Sequence, residues 1–313
     1  MKQLLGIAVQ TYKLGSDTTL LKLVKSLDFS SIRDLDDLKS AVDKTRLLRS
    51  PLTNKVIFES QEEIFRHGQL GIELIPIGEE GYPHSLSLTD NPPAVLYVRG
   101  DLRVLHELPG VAVVGSREIS TSGVEITKRI TTQLVNAGFV IVSGLAIGVD
   151  TMAHRATLQA KGKTIAVLAH GLEEAKPRQN TRLGQEILEN GGAWVSEYPV
   201  GRQALRQSFV QRNRIQVGLS AGSVLIEAGL GSGTMTQAEF CVQAKRPMYA
   251  VVPHKPHNPL NLNCEGTQHL VDTQQAFPLR TREDYDALID VMLASKSKLQ
   301  DMPALELHTL SLF

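Results

Sequence analysis

The sequence predicts an α/β fold: a doubly wound, mainly parallel sheet with a small helical module at its N-terminal end. Three observations carry this. Apolar runs at 111–114, 139–142, 164–168, 193–196, 223–226 and 248–252 alternate with helix-like segments at 122–136, 149–160, 180–190, 209–219 and 234–245. Such alternation implies right-handed βαβ crossovers. Within the first unit, Ile126, Ile130, Leu134 and Val135 recur at helical spacing between VAVV (111–114) and FVIV (139–142). Residues 1–65, by contrast, contain little glycine and no strand pattern.

Taken in order, residues 1–65 read as a separate module of small helices. Leu20, Leu21, Leu23, Val24 and Leu27 form one apolar stripe, and 31–38 and 47–64 carry further helical spacing. Residues 66–280 form the expected α/β domain. It opens with short β-like runs at 71–77 (GIELIPI) and 94–98 (AVLYV), set around Tyr82-Pro83 and Asn91-Pro92-Pro93, which punctuate turns. Residues 281–313 hold an acidic amphipathic helix (283–294), a polar stretch and the apolar end LSLF. No internal repeat is visible.

Bulk properties narrow the function classes. Lys+Arg and Asp+Glu balance at 33 each in 313 residues, so a polyanion has to be met by a local patch rather than a global field. Cys241 and Cys264 are too few for a disulfide framework and lack CxxC zinc spacing. No run of about 18 apolar residues and no signal-peptide pattern occurs. The expectation is a cytoplasmic protein without membrane attachment.

The chemistry concentrates in loops that follow the strands. Gly115-Ser116-Arg117, Ser143-Gly144 and the run Glu227-Ala228-Gly229-Leu230-Gly231-Ser232-Gly233-Thr234 all fall on one edge of the expected sheet, where parallel sheets bind ligands. Helix N-termini there favour anions, phosphate above all. The third loop is neither GxGxxG nor a Walker A loop, and Gly162-Lys163-Thr164 leads into a strand and is rejected as one. Between Glu197 and Glu227 there is no acidic residue, yet Arg202, Arg206, Arg212 and Arg214 fall there. That block is the expected footprint for a polyanion. Arg212-Asn213-Arg214 supplies guanidinium forks suited to phosphate, and Phe209 is placed to stack on a base. Asp150 and His154, four apart on one helix, read as a hydrogen-bonded structural pair rather than an acid–base device. His254, His257, Cys264 and His269 lack recognised metal spacing. No metal, cofactor or catalytic residue is assigned.

Several of these motifs occur together in an order that resembles the DprA/Smf DNA-processing proteins. They are Gly115-Ser116-Arg117, residues 143–150 (SGLAIGVD) with Ala153-His154, and Ser196-Glu197-Tyr198-Pro199. Phe209 with Arg212-Asn213-Arg214, Glu227-Ala228 and Ser232-Gly233-Thr234 follow. The entry segment from Tyr82-Pro83 to Arg99-Gly100 also matches, so the resemblance covers about residues 66–275. It implies an extended Rossmann-like fold that binds single-stranded DNA, dimerises, and assists a RecA-type recombinase during uptake of transforming DNA. The DNA-contacting motifs map onto Gly115, Ser116, Arg117, Ser143, Gly144, Phe209, Arg212 and Arg214. The sequence departs from the family pattern at Ala169-His170-Gly171, Lys176-Pro177-Arg178, Phe209-Val210, Gln237-Ala238 and Pro253-His254. Residues 281–313 leave no room for the winged-helix module of some members.

Binding rather than catalysis is therefore expected, with single-stranded DNA lying across the glycine loops. The alternative is a small-nucleotide sensor or enzyme, because Gly231-Ser232-Gly233-Thr234 followed by Glu239 resembles the loop of cytokinin-activating phosphoribohydrolases. At the chain's end, Thr309-Leu310-Ser311-Leu312-Phe313 resembles the pentapeptide that docks on the replication sliding clamp. Leu310, Leu312 and Phe313 would be the anchors.

Overall fold

The computed structural model describes residues 1–303, so Leu310, Leu312 and Phe313 lie outside the described residues. Among the described residues nine strands form one sheet: β1 (Ile72–Pro76), β2 (Val95–Gly100), β3 (Gly110–Val114), β4 (Ile141–Ser143), β5 (Thr164–Val167), β6 (Ala193–Ser196), β7 (Ser220–Leu225), β8 (Met248–Val251) and β9 (Phe277–Leu279). The spatial order is β1-β2-β6-β5-β4-β3-β7-β8-β9. The pairs β1–β2 and β2–β6 are antiparallel, and every other pair is parallel. The α/β, mainly parallel and doubly wound reading holds.

Every residue of β3, β5 and β7 is buried, as expected where helices cover both faces. The helices of the described residues are α1 (Lys2–Thr11), α2 (Asp17–Ser26), α3 (Leu35–Thr45), α4 (Asn54–Gln69), α5 (His84–Ser87), α6 (Thr121–Asn136), α7 (Val149–Gln159), α8 (Thr181–Glu189), α9 (Arg206–Gly218), α10 (Gly233–Gln243), α11 (Glu265–Asp272) and α12 (Tyr285–Asp301). Their starts are chemically marked. Ser16, Asp34, Thr53 and Ser120 cap α2, α3, α4 and α6 by accepting N–H bonds from the first turn. Among the described residues no helix is long and apolar enough to cross a membrane.

One strand was not anticipated, and another starts earlier than its apolar run predicts. The strand β9 spans three residues, including Pro278, too short for any periodicity to register. The strand β7 begins at Ser220, ahead of its apolar run. Its small residues are dictated by packing, since a Cβ on Gly222 would meet Met292 Sδ of α12 at 2.5 Å and Pro247 O at 2.6 Å.

The N-terminal helices do not hold a core of their own. Leu5, Leu20, Leu23 and Leu38 pack in one continuous cluster with Val95, Tyr97, Leu168 and Trp194 of the sheet. Polar contacts fix the seam. Tyr97 donates to Gln10 Oε1 (2.7 Å), and Gln10 Nε2 donates to Glu197 O (3.2 Å). The Val200 N–H donates to His67 Nε2 (3.0 Å), which leaves Nδ1–H to donate to Glu63 O (2.6 Å). In this way the helical layer braces the segment that leads into α9.

Candidate nucleic-acid interface

Strand β3 pairs with β4 on one side and β7 on the other, so the winding direction reverses here. The loops after β3 (115–120), β4 (144–148) and β7 (226–232) open at the carboxyl ends of these strands, the position where such sheets bind ligands. Two buried carboxylates tie the loops together. Glu227 accepts from Ser120 N and Asn263 N (both 2.9 Å), and its carbonyl accepts from Ser116 N (2.8 Å). Asp150 accepts from Gly144 N (3.1 Å) and Ala146 N (3.3 Å). Burial pushes the Asp150 carboxyl above its ordinary range, and the Arg212 guanidinium and the two amides pull it back in part. Gly148 is required by shape: its φ is +85°, and a Cβ would lie 2.3 Å from Ser116 O.

These bonds revise which amides face a ligand. The sequence offered the N–H groups of all three loops to phosphate, but those of Ser116, Gly144 and Ala146 are already taken. The N-terminus of α10 is different. No acceptor meets the N–H groups of Gly233 and Thr234 among the described residues, and the buried Ser232 Oγ has no partner. An open helix start with an orphaned hydroxyl is an anion cradle.

A crevice of about 850 Å³ lies over this helix start, walled by Ser116, Arg117, Arg206, Phe209, Arg212 and Asn213 together with Gly231, Ser232, Gly233 and Thr234. Of the sequence-predicted site residues, the structure brings these together, and Gly115 joins them at the crevice wall. Arg117 and Arg206 are exposed, Phe209 is 39% exposed, and the Arg117 guanidinium sits 5.7 Å from the Phe209 ring centroid. This is a cation–π contact with one ring face left for a base.

Three predicted residues are placed otherwise. Arg214 is 9% exposed and its guanidinium is paired with the buried Glu197 carboxylate, outside the crevice. The expected patch of four arginines thus loses Arg214 to an internal ion pair, and Arg202 does not line the crevice either. The Ser143 hydroxyl is buried and donates to Val113 O (2.8 Å). Gly144 does not wall the crevice; it lies against Arg212 and lines a second, smaller cavity. Arg212 is itself 7% exposed, its Nη1 donating to Val167 O at 3.0 Å, so it lines the crevice floor rather than projecting from it.

The expected Asp150–His154 bond is also corrected. His154 Nδ1 meets Thr164 Oγ1 (2.8 Å), and that hydroxyl donates to Ile141 O (2.7 Å), so Nδ1 carries the proton. Burial, with the Arg212 charge adding to it, lowers the His154 pKa to about 3. Among the described residues no group of three or more His, Cys, Asp or Glu is placed to hold a metal ion.

Residues 73–289 match the family described as DNA recombination-mediator protein A. This chain belongs to the DprA/Smf family. It is 42% identical over 178 residues to protein Smf of Escherichia coli (57% of this chain, 47% of that protein). It is 35% identical over 181 residues to the DNA processing protein DprA of Bacillus subtilis (58% and 61%). The chain therefore spans about half to three fifths of the length of these two relatives. Among solved structures it is similar to DprA of Streptococcus pneumoniae, with a TM-score of 0.63 and 30% identity over 87% of this chain and 98% of that one. It is also similar to DNA processing protein A of Helicobacter pylori, a structure that describes that protein's single-stranded DNA binding mode. There the TM-score is 0.62 and the identity 28%, over 72% of this chain and 97% of that one. The extended Rossmann-like fold follows from these matches.

Sequence reasoning left Gln237 out of the site, although it lines the crevice of this family member. Arg206 of the basic block lies three residues before Phe209 and seven before Asn213, and so shares their face of α9.

Proposed function

We propose that this chain binds single-stranded DNA in the crevice at the carboxyl ends of β3, β4 and β7. The observation that carries the reading is the unpartnered N-terminus of α10, facing Arg117, Arg206 and the exposed ring of Phe209 across the same cavity. Backbone phosphate would meet Gly233, Thr234 and Ser232, with Gly231 allowing close approach. The guanidinium groups of Arg117, Arg206 and Arg212 would offset its charge, and a base would stack on Phe209. Family membership, and the single-stranded DNA binding mode described for the Helicobacter pylori relative, support this ligand. Protection of single-stranded DNA, assistance to a RecA-type recombinase in transformation or recombination, and action as a cytoplasmic homodimer are part of the same proposal.

The test is anisotropy of a fluorescent oligo-dT, titrated with salt, for the wild type and an Arg117→Ala/Arg206→Ala variant. Tight, salt-sensitive binding that weakens in the variant supports the reading. No binding at low salt removes it.

The small-nucleotide alternative loses its catalytic candidate, because Glu239 is exposed on α10 and does not line the crevice. Docking on the sliding clamp rests on the sequence of Leu310, Leu312 and Phe313, and binding of a synthetic 305–313 peptide to the clamp tests it.

A further inference from the structure

A second cavity lies behind Phe209. It has a volume of about 230 Å³ and shares Arg117, Ala146, Phe209 and Arg212 with the crevice, so the Phe209 ring and its Arg117 partner form a divider with space on both sides. Its lining is more apolar than its neighbour's. Ile147, Leu168, Ala169, Pro177 and Ala204 make most of the wall apolar, and His170, Lys176 and Gln179 add polar groups beside the shared arginines. The volume falls below the roughly 300–1,000 Å³ of pockets for drug-sized ligands, which suits a single flat ring system.

His170 is oriented for a defined role. Its Nδ1 lies 2.7 Å from Gly171 O, an atom that can only accept, so Nδ1 carries the proton. Burial lowers the ring's pKa, which keeps it neutral near pH 7. The other nitrogen, Nε2, is then an acceptor, and no protein donor meets it among the described residues. A nucleobase has apolar faces and at least one N–H on its Watson–Crick edge, the complement of this wall and this acceptor.

We infer that the second cavity receives one unstacked nucleobase of a strand whose phosphate lies at the N-terminus of α10. The chain of the nucleic acid would pass over the Arg117–Phe209 divider, with one base on each side of that pair. Because every base offers an N–H to His170, the pocket would be tolerant of sequence. This inference rests on the single-stranded DNA reading above.

The experiment compares oligo-dT with an abasic oligomer of the same length, for the wild type and for Ile147→Trp, which fills the cavity mouth without altering the crevice. The abasic oligomer reports the phosphate path alone. Loss of one base contact is expected to weaken binding roughly tenfold or more. Ile147→Trp should therefore bind oligo-dT about tenfold more weakly than the wild type and bind the abasic oligomer equally well. Unchanged affinity for oligo-dT in Ile147→Trp overturns the base pocket. Failure of the wild type to bind either oligomer instead removes the underlying DNA reading. Should Ile147→Trp not fold, 2-aminopurine in the oligo-dT gives an independent answer with the wild type. A bound fraction that is bright from unstacking and shielded from acrylamide is expected, and full quencher access overturns the proposal.

Discussion

A Cβ added at Gly144 would lie 1.4 Å from Nη1 of Arg212. The second strand loop and the arginine of α9 thus occupy one space, and glycine is there because the guanidinium passes where a side chain would be. Beneath the loop, that guanidinium donates to Val167 O and neighbours the Asp150 carboxylate that holds the Gly144 and Ala146 amides. Gly144→Ala should displace Arg212 and loosen the whole loop. The expected loss is about 1–3 kcal/mol of unfolding free energy, with weaker DNA binding in the fraction that remains folded. A urea titration that shows no change in midpoint would remove this account of Gly144.

Arg214 and Arg206 separate stability from binding. The Arg214 guanidinium and the Glu197 carboxylate are both buried, and each leaves polar atoms unpaired (Nε and Nη1 of Arg214, Oε1 of Glu197). Removing one partner strands the other, so Arg214→Ala should cost about 3–5 kcal/mol. The double variant Arg214→Met/Glu197→Leu should recover much of that, since two apolar side chains replace the pair. Arg206 is exposed at the start of α9, and Arg206→Ala should stay within about 0.5 kcal/mol of the wild type. The reverse ranking in thermal or urea unfolding would contradict the assignment.

Salt dependence addresses the same division from the ligand's side. A single strand releases counterions with a slope of about −0.7 per phosphate neutralised. Arg117→Ala and Arg206→Ala should each flatten the plot of log affinity against log salt by about that amount. A variant of Arg202, exposed but outside the crevice lining, should leave the slope unchanged. Equal slopes in all three would place the phosphate path elsewhere.

The order of strands from 111 to 252 and the phosphate-facing edge were legible in the sequence because both rest on local patterns: apolar runs for buried parallel strands, and small residues where they end. The distinction between Arg212 and Arg214 is also local in principle. Residues two apart on a helix lie about 200° from each other, so Arg212-Asn213-Arg214 cannot present both guanidinium groups to one cavity. What one chain's pattern does not contain is the partner of a long-range polar contact. Glu227 reaches Ser120 and Asn263 across 107 and 36 residues, and its carboxylate closes the N-terminus of α6 while α10 stays open. The merging of the N-terminal helices into the sheet's core escaped for the same reason. An amphipathic stripe reports that a face is buried, not against what.

Acid sensitivity follows from buried histidines, and its sign is fixed by their protonation. In the native chain His154 takes up a proton near pH 3, against an ordinary value of 6.5. Between those values the unfolded chain binds more protons, so stability is present above pH 6.5 and is lost as pH falls. Near pH 5 the loss from His154 reaches about 2 kcal/mol. His67 and His170, lowered by burial, act in the same direction. Asp150 and Glu197 are raised by burial, so the native chain holds their protons more readily, and they oppose the trend at the acid end. His154→Gln keeps a donor for Thr164 and cannot titrate. Its urea midpoint should fall less between pH 7 and pH 5 than that of the wild type, with the remaining slope coming from His67 and His170. Identical slopes would show that His154 is not the neutral, buried ring placed here.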